Sequence, residues 1–257
     1  RQTYAHEMRG ALEGGELDLL YQPVVALPDG TPVGLQAQLR WLHPVLGAVP
    51  HAELVAAAED TGLAYEIGDW TLRVACRQLS RWINEGRDLW VSVSVWPTQL
   101  RTPGFADTLR DLLRTWQVPP QRLVLEVSER AMAAYDLSEQ FAAVQRLGVR
   151  TALGEFGAGL CPLVGLRGLP VDMLRTDTSL VEELDESRPI AELVVGIGQR
   201  LGLLVIADGV TEHGQAEALA AAGCCLAQGT LFIRPVPAEH AEAYLDAHAD
   251  GSRSLEP

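Results

Sequence analysis

A chain of 257 residues, with 47% hydrophobic and 21% charged residues, can fill one sizeable core, which excludes a disordered polymer. The formal net charge of −14 repels phosphate backbones, so we expect no nucleic-acid partner. Four cysteines without CxxC spacing and six scattered histidines argue against a disulfide framework and against a zinc site.

Eight short apolar runs predict eight β-strands, and most of the segments between them carry helical patterns. In chain order we predict strands Asp18–Val25 and Val33–Trp41, helices Pro50–Leu63 and Ile67–Asn84, strand Leu89–Val95, helix Thr98–Trp116, strand Leu123–Ser128, helix Arg130–Leu147, strands Arg150–Phe156 and Met173–Asp177, helix Glu186–Leu201, strand Leu203–Asp208, helix Gln215–Ala222, strand Leu226–Ile233 and helix Ala238–Ala247.

Apolar strands that alternate with helices are typical of a parallel sheet covered on both faces. Eight such units in this length predict an α/β fold, a TIM-type (β/α)8 barrel. The tight turn at Asp29-Gly30 predicts that the first strand pairs antiparallel with the second, a departure from the regular barrel. We predict one domain over residues 1–250 and a disordered tail over residues 251–257.

Polar residues stand near the C-terminal ends of most predicted strands, where barrels of this type carry their chemistry. Burying such side chains in apolar strands is costly unless they line a site, although single ones often only satisfy a neighbouring loop. We therefore predict a ligand cavity at this mouth. The residues are Gln22, Gln36, Gln38, Arg40, Ser92, Ser94, Glu126, Glu129, Glu155, Arg175, Asp177, Asp208 and Gln228.

Several segments, in order along nearly the whole chain, resemble those of EAL-domain phosphodiesterases. The segment 34–44 resembles the GxEALLRWxHP motif that names the family, and 125–129 resembles LEITE. Further matches are 21–23 to YQP, 93–96 with 99–100 to VNVSxxQL, 154–159 to DDFGTG, 169–177 to LPxDxLKID, 206–210 to VAEGV, and 223–235 to GCDxxQGYxxxxPxP.

The resemblance implies hydrolysis of one phosphodiester of cyclic di-GMP by water activated on two magnesium or manganese ions. It also implies which positions hold the metals and assist the water. In this chain those positions are Gln36, Ser94, Glu126, Gly154, Glu155, Arg175, Asp208 and Gln228.

Six of these eight positions depart from the family pattern, and only Glu126 and Gln228 are unchanged. Gln36 and Gly154 stand where the family has carboxylates, so two negative charges are lost, and Arg175 replaces a lysine. We therefore predict a degenerate domain that is not an enzyme, has no active catalytic residue and uses no cofactor. Magnesium or manganese would bind only if residual activity exists, with Glu126, Glu155 and Asp208 as weak ligands.

Ligand binding is a second interpretation, because Gln22, Arg40 and Pro235 stand where the family contacts its ligand. A metal-free cyclic di-GMP receptor and a weak phosphodiesterase with a remodelled metal site are therefore alternatives to a purely regulatory interaction module. Arg40 could instead form only a salt bridge at the rim, and Trp96 could either fill space or contact a guanine. An unrelated barrel enzyme with paired carboxylates is the remaining alternative.

The expected partners are cyclic di-GMP and a protein or an adjoining GGDEF-type domain, with a homodimer as a further alternative. The most apolar stretch, 193–210, contains Gln199, Arg200 and Asp208, so we expect no membrane span within this chain. The expected location is the cytoplasm, also as part of a larger, membrane-attached protein. The departure at Leu160-Cys161-Pro162 predicts a stiffened loop after the fifth strand.

Overall fold

Two long strands begin the sheet. In this computed structural model, described over residues 2–27, 29–157, 168–182 and 184–249, β1 (Leu17–Ala26) and β2 (Pro32–His43) pair antiparallel across the turn at Gly30. Gly30 has a φ of 75°, a conformation that glycine adopts without strain. The predicted antiparallel first strand is therefore confirmed.

The remaining elements alternate along the chain. They are α1 (Gln2–Gly14), β3 (Gly47–Ala48), α2 (His51–Asp60), α3 (Ala64–Asn84), β4 (Trp90–Ser94), α4 (Pro97–Leu100), α5 (Phe105–Thr115), a 3-10 turn (Pro120–Arg122), β5 (Leu123–Ser128), α6 (Glu129–Tyr135), α7 (Ser138–Arg146), β6 (Arg150–Phe156), β7 (Met173–Thr176), α8 (Ser179–Glu182), α9 (Leu184–Leu201), β8 (Leu204–Ala207), α10 (His213–Ala221), β9 (Leu226–Ala227) and α11 (Ala238–Ala249).

The sheet closes on itself. β2, β4, β5, β6, β7, β8 and β9 pair in parallel in that order, and β1 pairs antiparallel with both β9 and β2. The two-residue β3 pairs only with β2, outside the closed ring. The predicted TIM-type barrel, modified by an antiparallel first strand, is confirmed.

Three predicted elements are wrong in extent. The last strand was expected to reach Ile233, but it ends at Ala227 because the chain turns at Gly229, where Val210 N–H donates to the Gln228 carbonyl. The predicted helix over 98–116 is broken before α5, where Gly104 has a φ of 82°. The predicted helix over 130–147 is broken at Asp136, whose φ of 44° is left-handed.

Three other predictions concern the C-terminal tail, one loop and a membrane span. The predicted tail over 251–257 and the predicted loop change at Leu160-Cys161-Pro162 lie outside the described residues. Within the described ranges, no helix is both long enough and apolar enough to cross a membrane.

The barrel interior has an apolar floor. Alternate residues of each strand point inward, and one inward set forms a buried apolar layer. Its members are Val24, Trp90, Val124, Ala152, Met173, Ile206 and Leu226. A larger core fills the space between the strands and the surrounding helices. The next inward position on each strand therefore lies directly above this floor, toward the mouth.

Gly34 lies against the floor, and its replacement tests how tightly that layer is packed. A Cβ at residue 34 would overlap the Trp90 ring, so Gly34→Ala is expected to destabilise the fold by about 1–3 kcal/mol. Gly10→Ala is the matched control, because nothing lies within 4 Å of its added Cβ in α1, and helix propensity favours a gain of about 0.5–1 kcal/mol. Urea denaturation measures both, and equal midpoints for the two variants would contradict tight packing at Trp90.

Candidate functional site

A polar layer lies immediately above the apolar floor. Each of its residues is two positions from a floor residue or from Gly34 on the same strand, so both point inward. Most of them are at the C-terminal ends of parallel strands, as the sequence predicts. The layer consists of Gln22, Gln36, Ser92, Glu126, Gly154, Arg175, Asp208 and Gln228.

Arg175 on β7 is the centre of this layer. Its Nε donates to Glu126 Oε2 at 2.9 Å, one terminal nitrogen donates to Ser92 Oγ at 3.3 Å, and the other donates to Gln228 Oε1. The Arg175 and Glu126 side chains are only 3% and 8% exposed. The guanidinium therefore places a buried, hydrogen-bonded positive charge where the family resemblance implies metal chemistry.

Electrostatics in the layer centre on this charge. Burial opposes the charged form of Arg175, but Glu126 and Asp208 outweigh it, and the pKa of Arg175 is raised. The pKa of Asp208 is also raised, chiefly because burial disfavours its charge, although Arg175 opposes that effect. Asp208 is half-buried just after β8 and accepts a hydrogen bond from Gly209 N–H at 2.8 Å.

Four glutamines form a second network beside Arg175. Gln228 Nε2 donates to Gln22 Oε1 at 3.0 Å and to Gln36 Oε1 at 3.1 Å. Gln38 Nε2 donates to the same two oxygens, at 3.1 and 2.9 Å. Gln22 Nε2 donates to the Ile233 carbonyl at 3.0 Å, which connects the network to the segment after β9.

The end of β6 is irregular. The pairing of β6 with β7 shifts between Leu153 and Phe156, and Glu155 there has a φ of 54°. Such a conformation costs a non-glycine residue energy and clusters at functional sites. Glu155 is exposed, and no hydrogen bond or ion pair joins it to the other site residues within the described ranges.

The remaining predicted site residues lie at the rim. Arg40 donates to Asp18 Oδ2 at 2.7 Å, which is the rim salt bridge named as the alternative to ligand binding, while its buried Nε has no acceptor within the described ranges. Pro235 is half-buried beside Val236, which bridges to Tyr21 on β1. Ser94 is exposed at the end of β4 and is not among the Arg175 partners.

Trp96 follows β4 and precedes α4. It packs against the apolar cluster of Trp41, Leu54 and Ile67, so it fills space between β2 and the helices α2 and α3. This contact favours the packing interpretation of Trp96 over contact with a guanine.

The described side chains do not fit a pair of divalent cations. Among these residues, no three carboxylate, imidazole or thiolate groups come together closely enough to hold a metal ion. Glu126 is paired with Arg175 instead, and it also covers Gly154, where an added Cβ would lie 2.5 Å from Glu126 Oε1. A side chain at residue 154 and the present position of Glu126 therefore exclude each other.

Two residues of these networks had no role in the sequence analysis. Ser92 and Gln38 appear among the strand-end polar residues, yet only the structure shows that Ser92 contacts Arg175 and that Gln38 joins the amide network. The two-residue alternation along β2 and β4 was the available signal, because it places Gln38 above Gln36 and Ser92 above Trp90.

The chain is similar to known proteins over most of its length. A family model described as "EAL domain" matches residues 5–235. The chain is 37% identical over 243 residues to the bifunctional diguanylate cyclase/cyclic di-GMP phosphodiesterase MucR of Pseudomonas aeruginosa, covering 91% of this chain and 35% of that protein. It is 34% identical over 249 residues to the cyclic di-GMP phosphodiesterase NbdA of the same species, covering 94% of this chain and 32% of NbdA.

A solved structure described as "PaMucR Phosphodiesterase, c-di-GMP complex" has a TM-score of 0.88 and 34% identity, covering 93% of this chain and 99% of that one. The chain spans about a third of the length of the two curated relatives. An adjoining GGDEF-type domain, a protein partner and a homodimer stay predictions.

These comparisons correct two predictions. The prediction that the chain is not an enzyme is wrong, because the relatives and the solved structure are named as phosphodiesterases, so the family reaction points to an enzyme. The prediction that no cofactor is used is wrong on the same finding, because the family reaction uses magnesium or manganese. The local geometry differs from this family property, because no three carboxylate, imidazole or thiolate groups among the described residues come together closely enough to hold a metal ion.

Proposed function

The chain belongs to the EAL domain family, a family of cyclic di-GMP signalling, and on this premise we propose that it binds cyclic di-GMP at the barrel mouth and slowly hydrolyses one phosphodiester. The site is remodelled around Arg175. Gln36, Ser94 and Gly154 differ from the residues that the family pattern has at these positions. We attribute the slow rate to these differences.

One observation carries this proposal: the half-buried Asp208 carboxyl, with a raised pKa, lies beside the buried Arg175 charge in the mouth of the barrel. Raising the pKa of a carboxyl makes its carboxylate form a stronger base toward water. Arg175 keeps its proton at any working pH and therefore stabilises negative charge without taking part in proton transfer. The two groups together supply a base and a fixed cation.

The chemistry needs only water as a second reactant. Asp208 takes a proton from a water molecule while the water oxygen bonds to phosphorus. The bond from phosphorus to the 3′ oxygen breaks, and that oxygen takes up a proton from solvent. The product is the linear dinucleotide pGpG. The Arg40 side chain is 31% exposed at the rim, so its guanidinium can donate to the other phosphate and hold the ligand.

Calorimetric titration of cyclic di-GMP, followed by chromatography of the mixture with and without excess manganese, tests the proposal. We expect saturable binding and slow formation of pGpG. Arg40→Ala should weaken binding by about 10-fold to 100-fold, the typical effect of losing a hydrogen bond to a charged group. Asp18→Asn is the matched control, because it removes the partner of Arg40 and leaves the guanidinium in place.

Each outcome has a definite meaning. Flat titrations under both conditions would overturn the whole proposal. Binding without any pGpG under either condition would overturn the hydrolysis and leave a cyclic di-GMP receptor. Equal affinities of Arg40→Ala and the unmodified chain would remove Arg40 from the ligand site.

A further inference from the structure

We propose that Gln36 binds the ligand as a hydrogen-bond donor, with its Nε2 group directed at a phosphate oxygen of the cyclic dinucleotide. This inference rests on the proposed function and names one specificity-determining contact within it. The amide of residue 36 then binds an anion directly, which a carboxylate at the same position could not do.

Arg175 orients the amide network, because a guanidinium has only donors. The amide atom of Gln228 that faces Arg175 must therefore be its oxygen, Oε1. The nitrogen of Gln228 then faces Gln22 and Gln36, at 3.0 and 3.1 Å. Both of those residues must present oxygens to it, so one arginine fixes the orientation of three side-chain amides.

Two further contacts agree with this orientation, and the first of them does so independently. Gln22 Nε2 faces the Ile233 carbonyl, which can only accept. Gln38 directs its nitrogen at the oxygens of both Gln22 and Gln36. Reversing the Gln36 amide would place its nitrogen against two donors, Gln38 Nε2 and Gln228 Nε2. The Gln36 oxygen is thus committed to the network.

The Gln36 nitrogen is the open end of this network. Its oxygen accepts two hydrogen bonds, while its nitrogen donates to none of the described residues. The side chain is half-buried on β2, in the polar layer below Arg40. A preoriented donor beside a buried positive charge matches an anionic oxygen, because no rotation is needed to form the bond.

A carboxylate at residue 36 would reverse this preference. Gln36→Glu keeps an oxygen that accepts from Gln38 and Gln228, so the network and the fold should survive. It replaces the donor with a second negatively charged acceptor that repels phosphate. Gln36→Met has nearly the same size and adds no charge, but it removes the oxygen that accepts from Gln38 and Gln228 together with the donor. The two variants therefore separate loss of the amide from repulsion of an anion.

Calorimetry of cyclic di-GMP in excess EDTA, with circular dichroism to verify folding, tests the assignment without any contribution from metal. We expect Gln36→Met to lose affinity by about 5-fold to 10-fold and Gln36→Glu by at least about 30-fold. Gln121→Glu is the matched charge control, since residue 121 is exposed in the 3-10 turn before β5. That variant should bind like the unmodified chain.

The outcomes distinguish this inference from the proposed function. If the unmodified chain binds and Gln36→Glu binds within twofold of it, the Gln36 contact is overturned and the proposed function stands. Equal losses for Gln36→Glu and Gln36→Met would show that the acceptor is not an anion, which also overturns it. If the unmodified chain does not bind cyclic di-GMP in EDTA or with manganese, both fail together.

Discussion

Replacing Arg175 by methionine is expected to destabilise the barrel by about 3–5 kcal/mol, because it leaves the Glu126 carboxylate buried without its partner. The same change removes the donors to Gln228 Oε1 and Ser92 Oγ, which are almost fully buried. Buried polar groups that lose their partners add to the penalty. Urea denaturation of the variant and the unmodified chain measures the difference in the free energy of unfolding.

A double-mutant cycle separates the ion pair from the other contacts. Adding Glu126→Gln to Arg175→Met removes the buried charge, so the double variant should be more stable than Arg175→Met alone. Glu85→Gln is the matched control for the carboxylate, since Glu85 pairs with Arg81 on the exposed end of α3 and should cost less than about 1 kcal/mol. If Arg175→Met lowered stability no more than Glu85→Gln, the buried pair would not be a main determinant of this layer.

The fold could be predicted from the sequence because its signals are local. Apolar runs flanked by turns identify strands, and the Asp29-Gly30 turn identifies the antiparallel pair of β1 and β2. The end of β9 could not be predicted from its composition, because Leu231, Phe232 and Ile233 are as apolar as a strand. The strand ends there because Gly229 lies close to the Val210 backbone. The two residues are separated in the sequence, so no local pattern reveals this contact.

The candidate site was predictable in position and not in organisation. Strand alternation places Gln36, Glu126, Arg175 and Gln228 at one mouth. The pairing of Arg175 with Glu126 joins residues 49 positions apart, and the sequence alone suggested only that an arginine had replaced a lysine. The overlap of a Cβ at Gly154 with Glu126 is equally invisible in sequence, although it shows that the present position of Glu126 requires residue 154 to lack a side chain.

Asp208→Asn is expected to lower the rate of pGpG formation by about 100-fold to 1,000-fold, the usual contribution of a general base. The amide has nearly the same shape but cannot accept the proton of water. Because a base must be deprotonated, the rate of the unmodified chain should rise with pH through the raised pKa of Asp208. The rate of Asp208→Asn should be low and independent of pH over the same range, measured by chromatography at a series of pH values.

The stability of the unmodified chain should fall as pH rises over the range in which its rate increases. A carboxyl with a raised pKa holds its proton in the folded state over a range where the unfolded state has released it, so its contribution to stability declines as pH rises through that range. Asp208→Asn removes this penalty and should unfold at a higher temperature than the unmodified chain at alkaline pH, with the difference vanishing below the ordinary value of 3.8. Functional residues often carry such a cost in stability.

Asp177→Asn is the control that separates loss of the proton acceptor from loss of a neighbouring negative charge. Asp177 lies just after β7, binds Ser179, and contributes to the raised pKa of Asp208 by charge repulsion. Removing its charge should therefore shift the pH profile to lower pH and preserve the rate at its plateau. If Asp177→Asn lost as much activity as Asp208→Asn, or if Asp208→Asn kept the pH dependence of the unmodified chain, the base would have to be another group. Glu155, an exposed carboxylate near the end of β6, is then the next candidate.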